Sequence, residues 1–528
     1  MTASTSEQEA EVSEPETRAE EGTEQSGNRR TALKAGAIAL AGLLAPSLAQ
    51  GQGVRRKGPA GGPPQPGIPT DALPRDTINP TSAWLSPEGR LVRRITMGMS
   101  DAELTLAKSM GYDAYLERQL NATAIDDSAV DAFVAANYPL LSQGVDTLFN
   151  QDGGTLQTQL SNAWIYRAAF STRQLQERLV EFWTDHFNIS FEKVGYLKVV
   201  DDRVVIRANA LTTFPQILRA SAHSVAMLAY LDQTTSRNTS PNQNYAREIM
   251  ELHTLGVNGG YTQTDVAELA RVLTGWTTAG RGNFTFSPGI HDFGAKTVLT
   301  MNIPAASSAT GTAAQQEGEN VINMLTAHPS TAQFISAKML KFFLRYDPSD
   351  AQIASLASVY LSSQGDIKAM LRNALSQQNL MAAPSKFKRP LHLLTSGVRA
   401  LGATVANPSQ LYSQLNAMGH QPFDYQTPDG YPDRAEYWAG NIVPRWNYAV
   451  FLSNSNTATQ VQFNVANFMT SATAAGVVQS IDRFMFGGEM TPRLRDELIS
   501  YIGTLPTNTT RVREAVSLAL SSSTFQYY

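Results

Sequence analysis

The chain has 528 residues, of which 42 % are hydrophobic and 17 % are charged, as is usual for a soluble globular protein with a large core. Its formal net charge of −4 comes entirely from residues 1–49, so the remainder is electrically balanced and lacks the basic face that nucleic-acid binding requires. There is no cysteine, which excludes disulfides, thiolate metal sites, cysteine-ligated iron–sulfur clusters and cysteine nucleophiles.

Residues 1–49 have the pattern of an export signal. Arg29 and Arg30 precede an apolar run over 35–44, and small residues end the segment at Ala49. This order is typical of a signal peptide, and the paired arginines indicate the twin-arginine route. The apolar run of about ten residues is shorter than the roughly 20 that a membrane span needs. We therefore expect a cleaved signal, no stable membrane span, and a protein that works in the periplasm or outside the cell.

The composition changes twice after residue 49. Residues 50–80 are rich in proline and glycine and predict an unfolded linker. Residues 81–528 show helical periodicity and few strand signals, which predicts one large all-α domain. Helices are expected over 155–190, 213–231, 244–256, 264–276, 314–327, 329–346, 349–361, 364–377, 388–403, 408–418, 443–454, 461–470, 473–485, 491–503 and 509–521. Short extended pieces are expected at 196–206 and 283–299.

Long loops are expected between these helices. They fall at 190–210, 231–243, 277–312 and 419–442. Loops of this length inside a compact domain are more often functional than accidental. The last of them is rich in aromatic residues and proline, and Tyr431 within it is a candidate for the rim of a cleft.

The first of four polar segments covers residues 181–188. Glu181 and Asp185 are four residues apart, so both carboxylates lie on one helix face. His186 follows them near the expected helix end, among aromatic residues. The segment fits a site, and it equally fits salt bridges beside a histidine that the helix dipole favours.

The second polar segment is a helix with one charged stripe. Asn244, Arg247, Glu248 and Glu251 recur at three-to-four spacing, whereas His253 lies off that stripe. One straight helix therefore cannot aim all five at one ion. The spacing is neither that of zinc proteases nor that of di-iron bundles. Arg247 and Glu251 could also simply pair with each other.

The third polar segment covers residues 259–276 and ends at Trp276. Thr262 and Asp265 have the spacing of a helix cap, which is the simplest interpretation of both. Trp276 follows a Thr-Gly pair, and we consider it as a substrate-binding residue.

The fourth polar segment places His291, Asp292 and Lys296 in a loop that contains glycine. These side chains together are typical of a reactive or ligand-binding loop. A His-Asp pair also fits a turn that is closed by an Asx hydrogen bond.

Several of these motifs, in this order, resemble the bacterial domain of unknown function 1800 family. The motifs that carry the resemblance lie at 181–187, 226–232, 244–262, 265–276, 291–296, 328–332 and 428–432. The resemblance spans about residues 85–527. It implies a helical, often exported protein of unestablished activity, with no accepted catalytic residues to carry over. Members are often encoded beside proteins of the domain of unknown function 1501 family, which are similar to sulfatases, and this makes such a protein the candidate partner.

Our leading hypothesis is a metal-dependent hydrolase that acts on an extracytoplasmic polymer or ester. Histidine and carboxylate ligands suit a divalent metal. The candidate metal ligands are Asp185, His186, His253 and His291. The candidate catalytic residues are Glu248, Glu251, Asp292 and Lys296. The candidate substrate-binding residues are Asn244, Arg247, Trp276 and Tyr431.

Two alternatives belong to other classes. The first is a metal-free glycosidase in which Glu248 is paired with Glu181 or Asp292 across a cleft. The second is a non-catalytic envelope scaffold, or a partner of a sulfatase-like protein, in which the buried Arg–Glu and His–Asp pairs are structural networks.

Overall fold

A computed structural model describes residues 84–307, 311–503 and 508–528. The expected signal at 1–49 and linker at 50–80 lie outside these residues. Helices make up most of the described chain, and its strands form only small two-stranded sheets. The all-α prediction is therefore confirmed. Among the described helices, none has the length and apolar character that a membrane crossing demands.

The helices of the first half of the chain are mostly short. Their bounds are Pro87–Ile95, Asp101–Met110, Tyr112–Leu120, Ser128–Asn137, Val145–Phe149, Gly153–Phe170, Gln174–His186, Phe191–Val194, Leu197–Asp201, Phe214–Ala222, Val225–Tyr230, Gln243–Glu248 and Gln263–Val272.

The helices of the second half range from short turns to the long helix Gly311–Ala327. Their bounds are Gly311–Ala327, Pro329–Phe343, Asp350–Ser362, Ile367–Ala374, Gln377–Met381, Pro390–Leu401, Ser409–Ala417, Ala435–Ala439, Ile442–Asn454, Ala474–Ile481, Pro492–Ile502, Thr509–Ser521 and Ser523–Gln526. The described part of the chain also has three π-helical turns, at Asp202–Arg207, Ile249–Thr254 and Asp482–Phe486.

The strands of the described chain pair in three two-stranded antiparallel sheets, of which the first two are hairpins. The pairs are Trp276–Ala279 with Asn283–Phe286, Lys296–Val298 with Met301–Ile303, and Thr404–Val405 with Val461–Gln462. The extended structure expected at 283–299 is thus present in part. Residues 461–470 were expected to be helical, but they form a strand and the short 3₁₀ turn Val465–Phe468.

The extended piece expected at 196–206 is wrong, because this segment is helical. Its β-branched residues suggested a strand, but Val199, Val205 and Ile206 are buried against other helices. An ion pair between Lys198 and Asp201, three residues apart at 2.9 Å, suits only a helix. Tertiary packing here outweighs strand propensity.

The helix Gln174–His186 positions the first polar segment. The long helix expected over 155–190 breaks before it, where Asp127 accepts hydrogen bonds from the Ser171 hydroxyl at 2.8 Å and the Thr172 amide at 2.7 Å. Leu179 and Trp183, four residues apart, are fully buried on one face. Burial of each such side chain stabilises the fold by about 2–3 kcal/mol, and it fixes the other face toward the polar residues.

Candidate functional site

Glu181 and Asp185 extend from the helix Gln174–His186 toward Arg389. The Arg389 guanidinium lies 2.6 Å from the Asp185 carboxylate and 3.6 Å from that of Glu181. Arg178 contacts Glu181 at 2.6 Å, and its guanidinium lies over the Phe342 ring. Glu181 is 1 % exposed, so it is part of a buried ion-pair network rather than of a cleft.

The Asp185 carboxyl is held in a partly buried position. Burial raises its pKa to about 6, and this effect outweighs the opposing effect of Arg389. Its Oδ1 accepts a hydrogen bond from the Tyr431 amide at 3.3 Å. A carboxyl whose pKa lies near neutrality can gain or lose a proton at working pH.

His186 and His253 lie beneath this carboxyl as a buried pair. Their ring centroids are 6.1 Å apart, and His186 Nε2 lies 3.2 Å from the main-chain oxygen of His253. Burial lowers the pKa of His253 to about 3 and the pKa of His186 well below its usual range. Both rings are therefore neutral at pH 7, packed among Phe187 and other aromatic residues.

A π-helical turn separates the histidine from the glutamates of the second segment. The helix Gln243–Glu248 continues into Ile249–Thr254, where the Leu255 amide bonds to the Met250 carbonyl at 2.8 Å. This wider turn leaves Glu248 half-buried and directs His253 into the core, where it is 1 % exposed. π-helical turns are frequent at functional sites.

The loop that contains Tyr431 is fastened to the end of the first segment. Asn188 donates hydrogen bonds to the Tyr425 and Thr427 carbonyls, each at 2.8 Å. Gly430 has a φ of +73°, and a Cβ atom there would lie 2.2 Å from the Asp185 carbonyl oxygen. Only glycine permits this approach, so Gly430 brings Asp429 and Tyr431 to the site.

These segments meet in what we call the carboxylate cluster, which consists of Glu248, Glu251, Lys338 and Asp429. Burial and then Glu251 raise the pKa of Glu248, and Asp429 acts in the same direction. Burial lowers the pKa of Lys338 to about 8, against the effects of Asp185 and Asp429. Glu248 and Lys338 are half-buried and Asp429 is exposed, which places the cluster at the surface.

The charges of the carboxylate cluster are largely unpaired. Throughout the described ranges, neither Glu248 nor Lys338 takes part in an ion pair; the Lys338 ammonium lies only over the Phe334 ring, at 5.6 Å. Glu251 accepts one hydrogen bond, from the Tyr261 hydroxyl at 3.3 Å. Asp429 accepts one from the Thr427 hydroxyl at 2.6 Å.

The fourth polar segment lies in a different place, which we call the ion-pair cluster. Its members are Glu268, Arg271, His291, Asp292, Lys296 and Glu317. Arg271 binds Asp292 at 2.7 Å and Glu268 at 2.9 Å, and Lys296 binds Glu317 at 2.8 Å. His291 Nδ1 donates to the Thr274 carbonyl at 2.6 Å. Hydrogen bonds from Arg271 lower the pKa of Asp292, as they do for any paired carboxylate.

The structure therefore divides the residues that the sequence singled out. Asp185, His186, His253, Glu248 and Glu251 lie in or beside the carboxylate cluster. His291, Asp292 and Lys296 belong to the ion-pair cluster. The charged neighbours of Glu248 are Glu251, Arg247 and Asp429. Neither Glu181 nor Asp292, with which Glu248 was expected to pair, is among them.

The expected substrate-binding residues are equally divided. Trp276 is fully buried, and Gly318 packs against its ring, so it offers no surface to a substrate. Asn244 is exposed at the start of its helix. Arg247 donates to the Gln263 side chain at 2.9 Å rather than to Glu251. The Tyr431 hydroxyl forms hydrogen bonds with the main chain of Gln421. The half-buried ring of Tyr431 lies 4.4 Å from the ring of Tyr425.

A divalent metal was expected on histidine and carboxylate ligands, and the geometry does not fit one. In 84–307, 311–503 and 508–528, no three side chains of metal-binding type are arranged to hold a common ion. His291 contacts Phe286 and Phe293, whereas His186 contacts His253 and the aromatic residues around it. The four expected ligands are therefore not assembled at one point and do not form a metal site.

Three residues of the site carry no clear signal in the sequence. Lys338 lies on the amphipathic helix Pro329–Phe343, and nothing in its local pattern marks it. Arg389 precedes a helix as an ordinary basic residue. Asp429 belongs to a conspicuous aromatic loop, and the glycine after it was the available signal that this loop approaches another backbone closely.

The fold and site define an all-helical protein with an unpaired carboxylate cluster at its surface. The chain belongs to the family described as Protein of unknown function (DUF1800), which matches residues 90–527. The family expected from the sequence motifs is therefore confirmed. No curated protein and no solved structure is significantly similar to the chain.

Proposed function

We propose that this protein is a glycoside hydrolase that works by acid–base catalysis at the carboxylate cluster, without a metal. The observation that supports this most is the meeting of three carboxylates and one lysine, from three separate segments of the chain, with almost no ion pairs among them. Burial and the neighbouring carboxylates raise the pKa of Glu248, and groups with perturbed pKa values concentrate at catalytic sites.

The roles follow from the environments. Glu248 is the general acid, because burial and its acidic neighbours raise its pKa and favour the protonated form. It gives its proton to the glycosidic oxygen as that bond breaks. Asp429 is exposed and acts as the general base that takes a proton from the attacking water. Two carboxyl groups with divided roles are what glycoside hydrolysis requires.

Lys338 and Asp185 complete the site. The Lys338 ammonium is attracted by the carboxylates of Asp185 and Asp429 and adds a positive charge to the site. The main-chain bond from Tyr431 to Asp185 holds the loop that carries Asp429 in position.

Aromatic rings beside carboxylates favour a carbohydrate over other substrates. The rings of Tyr425 and Tyr431 contact each other near the cluster at a tilt of 45°, and Tyr437, on the following helix Ala435–Ala439, is 43 % exposed. Sugar rings present C–H faces that pack on aromatic rings, and their hydroxyls bond to carboxylates. With the export signal inferred for residues 1–49, we assign the substrate to an extracytoplasmic glycan.

The test is hydrolysis of a panel of polymeric glycans, measured as released reducing ends, with and without a metal chelator. We expect activity that survives the chelator and falls by about 10²–10⁴-fold in Asp429→Asn. Asp350→Asn, an exposed aspartate that is not a member of the carboxylate cluster, is the control and should retain activity. Activity lost with the chelator, or kept in Asp429→Asn, would contradict the proposal.

A second candidate is a non-catalytic partner of a sulfatase-like protein of the domain of unknown function 1501 family. The observation that favours it is the number of buried charges that form ion pairs, such as Glu181 with Arg178 and Lys296 with Glu317. Paired buried charges are typical of structural networks. Under this candidate, the chain hydrolyses nothing alone, and it co-purifies with its partner after export.

A further inference from the structure

The start of the helix Pro390–Leu401 borders a small cavity of about 20 Å³. Polar residues that line it include Arg93, Lys388, His392 and Ser396. A volume of this size admits one water molecule or one monatomic ion. The cavity is separate from the carboxylate cluster and from the ion-pair cluster.

Several polar groups around this cavity have no partner. In the described part of the chain, neither ring nitrogen of His392 forms a hydrogen bond, and nor does the Ser396 hydroxyl, although both residues are 1 % exposed. Lys388 is 7 % exposed, and its Nζ lies over the Phe525 ring at 3.9 Å, with no carboxylate among the described residues bound to it. Buried polar groups are nearly always satisfied, so such a set calls for a missing ion or water.

The surroundings of the cavity are positive. The charges nearest Lys388 are Arg93 and Arg445, and those nearest His392 are Arg178, Lys388 and further arginines. Of these, Arg93 is neutralised by Glu489 at 3.1 Å, and Arg178 by Glu181.

The adjacent helix adds to this positive potential. Among the described residues no side chain caps its first turn, so the amides that follow Pro390 and the helix dipole favour an anion there.

We infer that this cavity binds a single chloride ion. The cavity volume limits the ligand to a monatomic species. Burial and then Arg93 and Arg445 lower the pKa of Lys388 well below its usual range, so a negative ion in the cavity is what would hold this side chain in its charged form. A water molecule would satisfy the hydrogen bonds and leave the Arg445 guanidinium, which forms no ion pair within the described residues, without a counter-charge. The ion would accept hydrogen bonds from three donors: Lys388 Nζ, an imidazole N–H of His392 and the Ser396 hydroxyl.

The test uses the full chain in two parallel measurements. Crystals soaked in sodium bromide should show one anomalous peak between Lys388 and Ser396. The melting temperature should rise saturably by roughly 3 °C in sodium chloride relative to sodium gluconate of equal ionic strength. Lys388→Met should abolish that rise. Lys108→Met, an exposed lysine without an ion pair, should keep it.

A milder variant covers the case in which Lys388→Met does not fold. Ser396→Ala removes one donor and should move the chloride midpoint to about tenfold higher concentration, as the loss of one hydrogen bond to a charged group predicts. Equal melting temperatures in both salts would overturn the inference. A bromide peak without any change in melting temperature would overturn it too, because it would indicate an adventitious ion only.

Discussion

The carboxylate cluster and the ion-pair cluster contain the same kinds of residue and differ in how those residues are paired. In the ion-pair cluster, Arg271 bridges two carboxylates and Lys296 is bound to Glu317. In the carboxylate cluster, Glu248 and Lys338 lie near opposite and like charges, with no ion pair, throughout the described ranges. From the sequence, the two looked equally suited to catalysis.

This difference indicates which charged side chains remain available to a substrate. A charged side chain that already forms a buried ion pair is part of the folded structure, and breaking that pair lowers the free energy of unfolding. A charge held without a partner keeps a perturbed pKa and remains available to a substrate. The pairing of charges therefore decides between function and structure, and the presence of charged residues does not.

The largest effect is expected when a pair of the ion-pair cluster is broken. Lys296→Met leaves the Glu317 carboxylate buried without its partner, and we expect a loss of about 3–5 kcal/mol in the free energy of unfolding. The matched variant Lys338→Met removes an unpaired, half-buried charge, and stability should remain unchanged or rise. Denaturant titration of both variants measures this contrast. A similar loss of stability in both variants would mean that Lys338 stabilises the fold as well.

The next effect concerns the loop that brings Asp429 to the site. Gly430→Ala forces a Cβ against the Asp185 carbonyl at a left-handed φ, so we expect a cost of at least about 1–3 kcal/mol and loss of activity. Gly402→Ala is the control: its φ is +56°, and no atom lies within 4 Å of the added Cβ. Equal thermal shifts in the two variants, with activity kept in both, would show that the close approach is unimportant.

The pH dependence of activity should report on Lys338. Its folded-state pKa is lowered to about 8, so the ammonium is lost as the pH rises through 8, and activity should fall there. The same shift means that the folded state binds fewer protons than the unfolded state between pH 8 and 10.5. The contribution of this residue to the free energy of unfolding therefore increases as the pH rises from 8 to 10.5. Lys338→Arg stays charged and should move the alkaline limb of the activity profile upward. If the alkaline limb does not move in this variant, the fall in activity reports the titration of a group other than Lys338.

The smallest effect concerns a cap beneath the ion-pair cluster. Thr262 accepts a hydrogen bond from the Asp265 amide at 3.2 Å and begins the helix that carries Glu268 and Arg271. Thr262→Ala should cost about 1 kcal/mol, with no change in hydrolysis, as thermal unfolding and the glycan assay would detect. Impaired hydrolysis at unchanged stability would connect this helix with the catalytic site.

Much of the fold could be predicted because helical periodicity is a local property. The cap at Thr262 and Asp265 is present as expected, and His328 begins the helix Pro329–Phe343, with Nδ1 accepting from the Ser330 amide at 3.2 Å. The segment at 196–206 was misassigned, because its valines are typical of a strand and only their burial against distant helices decides the matter.

The site could be predicted only in part. Glu248 and Glu251 were identifiable from charges at helical spacing. Lys338 and Asp429 were not, because their importance arises from contacts between segments far apart in sequence. Trp276 was misjudged for the same reason: a tryptophan in a polar segment looks available, and only the packing of Gly318 against its ring shows that it is core.

The most direct test of catalysis at the carboxylate cluster compares Glu248→Gln with Glu268→Gln, one glutamate from each cluster, by glycan hydrolysis and thermal unfolding of the same preparations. We predict that Glu248→Gln loses activity by about 10²–10⁴-fold without losing stability, while Glu268→Gln loses stability and keeps its activity. If Glu248→Gln stays active, or unfolds as readily as Glu268→Gln, the carboxylate cluster is structural and its proposed catalytic role is contradicted.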